Sequence, residues 1–241
     1  MSIIVSNTTI SNGVVHRPII RDGLQLYVDF ANLRTYPETG TDVFDLTNND
    51  NDMTISGPTF STNNGGYFSF DGSNDLIYGA QASNPYNLSK QITYEFWFRW
   101  TQDGGGDRNM ILNKENSFEV GIEDSEGYLQ WAIMSDAQSW AWLGGSSTGD
   151  LRDSNWHYGA ITRSETAVER LYLDGEFQTS ANRTDSPIRQ NNNRLNIGSR
   201  GGGTTSSSEF GGDIGVVRIY NVELTANEIK NNYLVQSPRY Q

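Results

Sequence analysis

The sequence predicts an all-β fold: two antiparallel sheets packed face to face, with one short helix near the C-terminus. Three observations predict it. Alternating apolar runs recur along the chain with turn signals about every eight to twelve residues, the rhythm of a sandwich or barrel rather than of βαβ units. The clearest such runs are ITYEFWFRW (92–100) and the two inside NWHYGAITRSETAVERLYLDGEF (155–177). A hydrophobic content of 35% with 25 glycines suits short strands joined by many turns, not a helical bundle.

The elements follow in chain order. Residues 1–22 form a distinct N-terminal segment, with β-branched runs at 3–5 and 14–15 around the turn-like Ser11-Asn12-Gly13. This segment reads either as an extra hairpin or edge strand, or as an arm that docks on a neighbouring subunit. Residues 23–241 read as one domain. Leu24, Leu26 and Val28 alternate with Gln25 and Tyr27, and the Asn/Asp-rich stretch 47–57 reads as a loop. Residues 67–70 form a strand closed by the turn Asp71-Gly72. Residues 92–100 are the most strand-like stretch, followed by the Gly-rich turn 104–106 and a strand pair at 117–122 and 128–134. Residues 157–162 and 168–173 show side chains to opposite faces with a period of two and read as neighbouring strands. Asp174-Gly175 then supplies the positive-φ residues of a tight turn leading toward Phe177. Late strands lie at 194–198 and 212–220. Thr225 and Glu228 are spaced as a capping box, and Leu224 and Ile229 as a hydrophobic staple. They predict a helix of about two turns ending before Pro238.

Charge and composition narrow the function classes. A net charge of −12 without clustered Lys and Arg excludes a nucleic-acid partner. It fits cation binding, although an acidic surface is also simply a soluble one. No run approaches the roughly 18 apolar residues of a membrane-spanning helix, so no membrane insertion is expected. The N-terminus lacks the basic and apolar regions of a signal peptide. With no cysteine there is neither a disulfide nor a thiolate site, which favours a microbial or viral origin over an extracellular animal one.

Four separated segments resemble the bacterial and phage branch of the laminin-G-like, concanavalin A-like jelly-roll family. They are GLQLYVDFANLRTYPETGTDVFDLTNNDND (23–52), FSFDGSNDLIY (68–78), the 155–177 hairpin with its W-H-x-x-A…R-x-L-Y-x-D-G pattern, and the closing stretch 195–229 with EFGGDIGVVRIYNVELTANEI. In the second, Leu76 stands where the family more usually has an aromatic. The segments follow the family's order over nearly the whole chain. The resemblance implies a two-sheet antiparallel jelly-roll sandwich with binding loops at the rim or on the concave face. It does not fix function, because the same sandwich hosts lectins, glycosidases, adhesion modules and virion parts.

The candidate chemistry points to binding, not catalysis. Glycoside hydrolysis needs two carboxylates flanking the bond. Hydrolases with the sandwich that the resemblance implies carry them as E-x-D-x-x-E on one strand, whereas Glu119, Glu123, Asp124 and Glu126 have the wrong spacing and run into a turn. Glu95 and Arg99 share a strand face with Trp97 between them, and a pairing across neighbouring strands is the expected reading. His157 lies in a strand motif and is expected to be structural. No enzyme is predicted. Laminin-G-like domains often hold calcium at the rim, and the resemblance makes Asp71, Asp75 and Asp213 the candidate ligands. The competing reading is that Asp71 only shapes its own turn. For carbohydrate, Trp140 and Trp142 alternate in SDAQSWAWLGGSSTGD, with Asp136 and Gln138 as hydrogen-bonding neighbours. Their indoles offer flat faces to sugar rings, or else cap the core or fill a subunit interface.

The resulting expectation is a virion structural protein of a tailed phage: a decoration, fibre or tail-associated subunit. It would meet other virion proteins through residues 1–22, present a lectin-like domain to a cell-surface glycan, and is compatible with a homo-oligomer. The alternative is an extracellular, calcium-dependent carbohydrate-binding module or adhesin.

Overall fold

The computed structural model describes residues 9–11, 14–16, 18–82, 84–104, 108–137, 141–201 and 208–241. Among them, β1 (Thr9–Ser11) and β2 (Val14–His16) form a separate two-stranded ribbon. The rest is a sandwich of two eight-stranded sheets, antiparallel in every pairing between neighbours. Sheet I comprises β3 (Leu24–Asp29), β6 (Thr59–Ser61), β7 (Tyr67–Asp71), β9 (Ile92–Trp100), β14 (His157–Arg163), β15 (Val168–Leu173), β16 (Glu176–Asn182) and β18 (Gly211–Tyr220). Its order is β16-β15-β14-β9-β18-β7-β6, with β3 also paired to β18. Sheet II comprises β4 (Asp42–Val43), β5 (Met53–Ser56), β8 (Leu76–Gly79), β10 (Arg108–Lys114), β11 (Phe118–Glu123), β12 (Leu129–Ile133), β13 (Leu143–Gly144) and β17 (Leu195–Ile197). Its order is β13-β12-β11-β10-β17-β8-β5-β4.

The period-two pattern of β9 explains the layering. Ile92, Tyr94, Phe96, Phe98 and Trp100 enter the main core between the sheets. Trp97 faces the other way, into a second apolar cluster with Tyr158, Tyr220, Leu224, Ile229 and Tyr240. Each fully buried large apolar side chain contributes about 1.5–3 kcal/mol, so a strand with one apolar face and a buried indole on the other is held in the middle of its sheet. The helix α1 (Ala226–Gln236) caps this second cluster. Its N-terminus is the expected capping box: Glu228 N donates to Thr225 Oγ1 at 3.4 Å and Thr225 N to Glu228 Oε2 at 2.8 Å. The helix runs 11 residues, longer than the two turns expected. Its last turns are held by polar contacts with sheet I that leave no apolar period in the sequence. Pro238 follows in a single 3₁₀ turn.

The 155–177 hairpin forms as the sequence indicates. Asp174 and Gly175 have φ of 52° and 76°, and Leu173 pairs with Glu176 across them. Several strands were not expected, among them β4, β5, β6, β8 and β10. β5 lies within the stretch read as a loop, and β10 was missed because Arg108-Asn109 and Asn113-Lys114 mask its short apolar centre. A register shift between Met110 and Leu112 breaks its alternation as well. The expected run at 3–5 lies outside the described residues. No helix among those described is long and apolar enough to cross a membrane.

Candidate functional site

The outer face of sheet II carries a row of side chains set by strand register. Thr54 pairs with Tyr78, Tyr78 with Asn196, Asn196 with Asn113, Asn113 with Glu119, and Glu119 with Ala132. Their sequence neighbours Met53, Ile77, Leu195, Ile197, Leu112, Phe118, Val120, Trp131 and Ile133 all enter the core. Alternation therefore turns the whole row away from it. With neighbouring strands about 4.8 Å apart, the row extends about 24 Å across the sheet.

The middle of this row is buried, which is unusual for the solvent side of a sandwich. Glu119 and Asn113 are 0% exposed and Asn196 is 1% exposed. The turn after β17 folds back over them. Gly201 N donates to Asn113 Oδ1 at 3.2 Å, and Asn196 Nδ2 donates to the Gly201 carbonyl. The Arg200 guanidinium lies between two carboxylates, 3.2 Å from Glu115 and 3.4 Å from Glu119. Asn113 Nδ2 donates to Glu119 Oε2 at 2.6 Å. Glu119 Oε1 and Asn196 Oδ1 are buried without a partner. Burial pushes the Glu119 carboxyl up to about 7 against the pull of Arg200, and the charge of Glu115 adds to the rise.

Aromatic–guanidinium pairs flank the covered centre. On the β12–β13 side, the Arg108 guanidinium sits 4.3 Å from the Trp142 ring centroid and donates to Gln130 Oε1 at 3.0 Å. On the β5–β8 side, Arg194 lies 4.7 Å from the Tyr78 ring centroid. Here a cavity of about 250 Å³ opens between Tyr78, Arg194, Thr54, Asp52 and Gln81.

The carbohydrate residues expected from sequence divide accordingly. Trp142 is half-buried and reaches the outer face of sheet II. Asp136 is exposed in the turn after β12, where its N–H donates to the Pro187 carbonyl at 3.2 Å. Trp140 and Gln138 lie outside the described residues. Sequence reasoning missed Asn113, Asn196, Arg108 and Arg200, and weighed Glu119 only as a catalytic carboxylate. The alternation inside β11 and β17 was the available signal, but their register against β10 was not.

Asp71, Asp75 and Asp213 do border one cavity, of about 310 Å³, with Ser69, Thr101 and Gln102. Their oxygens are largely committed. Asp213 accepts from Ser69 Oγ and pairs with Arg99 at 2.7 Å. Asp75 Oδ2 accepts from Asp71 N at 2.8 Å, and Asp71 Oδ1 from Ser73 N at 2.9 Å. Burial raises the Asp75 carboxyl above its ordinary value, which disfavours the anion that calcium would need. Gly57 makes room for it: a Cβ there would sit 2.1 Å from Asp75 Oδ1. Among the described residues no group of three or more His, Cys, Asp or Glu is arranged to hold a metal. As it stands, this donor set does not fit calcium.

Glu95 and His157 are structural. Glu95 pairs across strands with Arg218 at 2.6 Å, beneath α1. His157 bridges Asp174 at 2.9 Å and Asp153 at 3.2 Å. Burial opposes its charge, but the two carboxylates outweigh it and raise its pKa.

Comparison with known proteins agrees with this architecture. No curated protein matches the chain in sequence. Solved structures similar to it include the binding domain of Paraclostridial Mosquitocidal Protein 1, at 15% identity and a TM-score of 0.68, covering 88% of this chain and 52% of that one. The botulinum neurotoxin serotype D binding domain is similar at 17% identity and a TM-score of 0.67, covering 89% and 52%. The binding domain of botulinum neurotoxin DC in complex with SialylT is similar at 14% identity and a TM-score of 0.67, with the same coverage. The chain thus spans about half the length of these structures, and at such identities the likeness concerns the fold. Residues 71–230 match the family described as the concanavalin A-like lectin/glucanases superfamily, laminin-G group, and the chain belongs to that family.

Proposed function

We propose that this chain is a non-catalytic recognition module that holds a cell-surface glycan against the outer face of sheet II. The observation that carries the reading is the pair of half-buried rings, Tyr78 on Arg194 and Trp142 on Arg108, that flank the covered row Asn196–Asn113–Glu119. The half-buried indole and phenol faces suit sugar rings, and the Thr54 hydroxyl and Gln130 amide beside them suit sugar hydroxyls, while the buried Asn196, Asn113 and Glu119 hold the covering turn in place. That one structural neighbour was solved with SialylT is in keeping with this reading. The most obvious candidate acid, Glu95, is sealed beneath α1 and supports a binding role.

The setting we propose is a tailed-phage particle, with residues 1–22 as the attachment segment. Among the described residues the ribbon β1–β2 joins neither large sheet and lies beside α1, in keeping with a docking element. The reading uses no metal. A glycan array probed with the protein is expected to give a defined set of hits that weaken about tenfold with Trp142→Ala, the loss of one well-placed aromatic anchor. An array without hits for the folded protein would overturn the glycan reading. For the setting, a chain lacking residues 1–22 is expected to fold and to be missing from purified particles by mass spectrometry; unchanged incorporation would overturn it.

A further inference from the structure

We infer that Glu115 and Glu119 form a subsite for a cationic sugar, the ammonium group of an unacetylated hexosamine, and that the Arg200 side chain occupies it until such a ligand displaces it. The inference rests on the glycan reading of this face and names its ligand class.

Acceptors exceed donors at this point of the row. Two carboxylates face one guanidinium, and Glu119 Oε1 and Asn196 Oδ1 are buried with no donor at all. A buried acceptor left unpaired costs about 1–3 kcal/mol, so a ligand that brings donors relieves a standing penalty. An ammonium brings three, and a positive charge besides. The other nearby cations are committed elsewhere. Arg108 is engaged by Trp142 and Gln130. Lys114, on the opposite face of β10, donates to the carbonyls of Ala82 at 3.3 Å and Asn191 at 3.2 Å.

Arg200 shows what the subsite accepts. Its side chain is 27% exposed and reaches the carboxylates from outside the sheet, so its displacement leaves the core between the sheets closed. Burial pushes the Glu119 carboxyl up to about 7, so part of it is protonated near neutral pH. An ammonium paired with it would expel that proton to buffer.

Isothermal titration with three oligomers of one backbone tests this: the tetramer of glucosamine, the tetramer of N-acetylglucosamine, and cellotetraose. Arg200→Gln is expected to bind the glucosamine tetramer about tenfold tighter than the parent chain, with the other two unchanged. Glu119→Gln is expected to abolish the preference, and repeating the titration in buffers of different ionisation enthalpy should reveal proton release. Thermal melts establish that each variant is folded. Equal affinity for all three tetramers in the parent and in Arg200→Gln overturns the cationic subsite and leaves the glycan reading standing. Array hits confined to sugars without a free amine do the same. No binding of any tetramer, together with a blank array, overturns both.

Discussion

The carboxylate of Glu95 accepts from Arg218 Nε at 2.6 Å, from Asn232 Nδ2 at 2.9 Å and from the Tyr158 hydroxyl, with Tyr220 at 3.4 Å. Arg218 in turn donates to Gln236 at 2.8 Å. Such a network is stable only when complete, because removing one partner leaves the other charge buried and uncompensated. Glu95→Ala is therefore expected to destabilise the fold by about 3–5 kcal/mol in urea denaturation. A loss below about 1 kcal/mol would mean that the pair is not buried as described. Sequence indicated a cross-strand partner for Glu95, and the register supplied it. The two partners contributed by α1 were hidden, because Asn232 and Gln236 look like ordinary polar surface residues of a helix. Trp142, which the sequence offered either as a sugar platform or as a core or interface residue, is half-buried against Arg108.

At the level of elements, local chemistry was the most legible. The Thr225 capping box and the Asp174-Gly175 turn each need a few residues of particular type at fixed spacing, and both are present. Thr225→Ala is expected to cost about 1 kcal/mol in urea denaturation, with glycan binding unchanged. No change in the midpoint would show that the cap is replaced by solvent. β10 was illegible because register, not composition, makes it a central strand. Asn113 and Lys114 at its end serve opposite faces, one in the outward row and the other capping loop carbonyls, so no period-two pattern appears. The polar row itself crosses strands far apart in sequence, and only pairing between them reveals that its members share one line.

Over the whole molecule, buried acids set the pH response. Burial pushes Glu119 up to about 7, and does the same to Glu169, to about 7, against the charges of Arg183 and Arg163 and the Trp131 hydrogen bond. A carboxyl raised when folded contributes stability below its unfolded value, and loses it as pH rises through the folded value. His157, raised by Asp174 and Asp153, also loses its contribution as pH climbs through its folded value. The net charge of −12 adds self-repulsion in the same direction. The melting temperature is therefore expected to be higher at about pH 5 than at about pH 8, and Glu119→Gln with Glu169→Gln to flatten the difference. A melting temperature that rises over this interval would contradict the burial of these groups. The two-sheet sandwich was legible in the sequence because strand alternation repeats along the whole chain. Which outer face to propose for a ligand was not, since sheet II reads as β-structure with a polar side, like any exposed sheet. The claim that this face binds glycan is tested most directly by mapping NMR amide shifts while an array-selected oligosaccharide is added. The account predicts shifts concentrated at Tyr78, Asn113, Glu119, Ala132, Trp142 and Asn196. Shifts confined to the Asp71–Asp75 rim or to the helix-covered face of sheet I would contradict it.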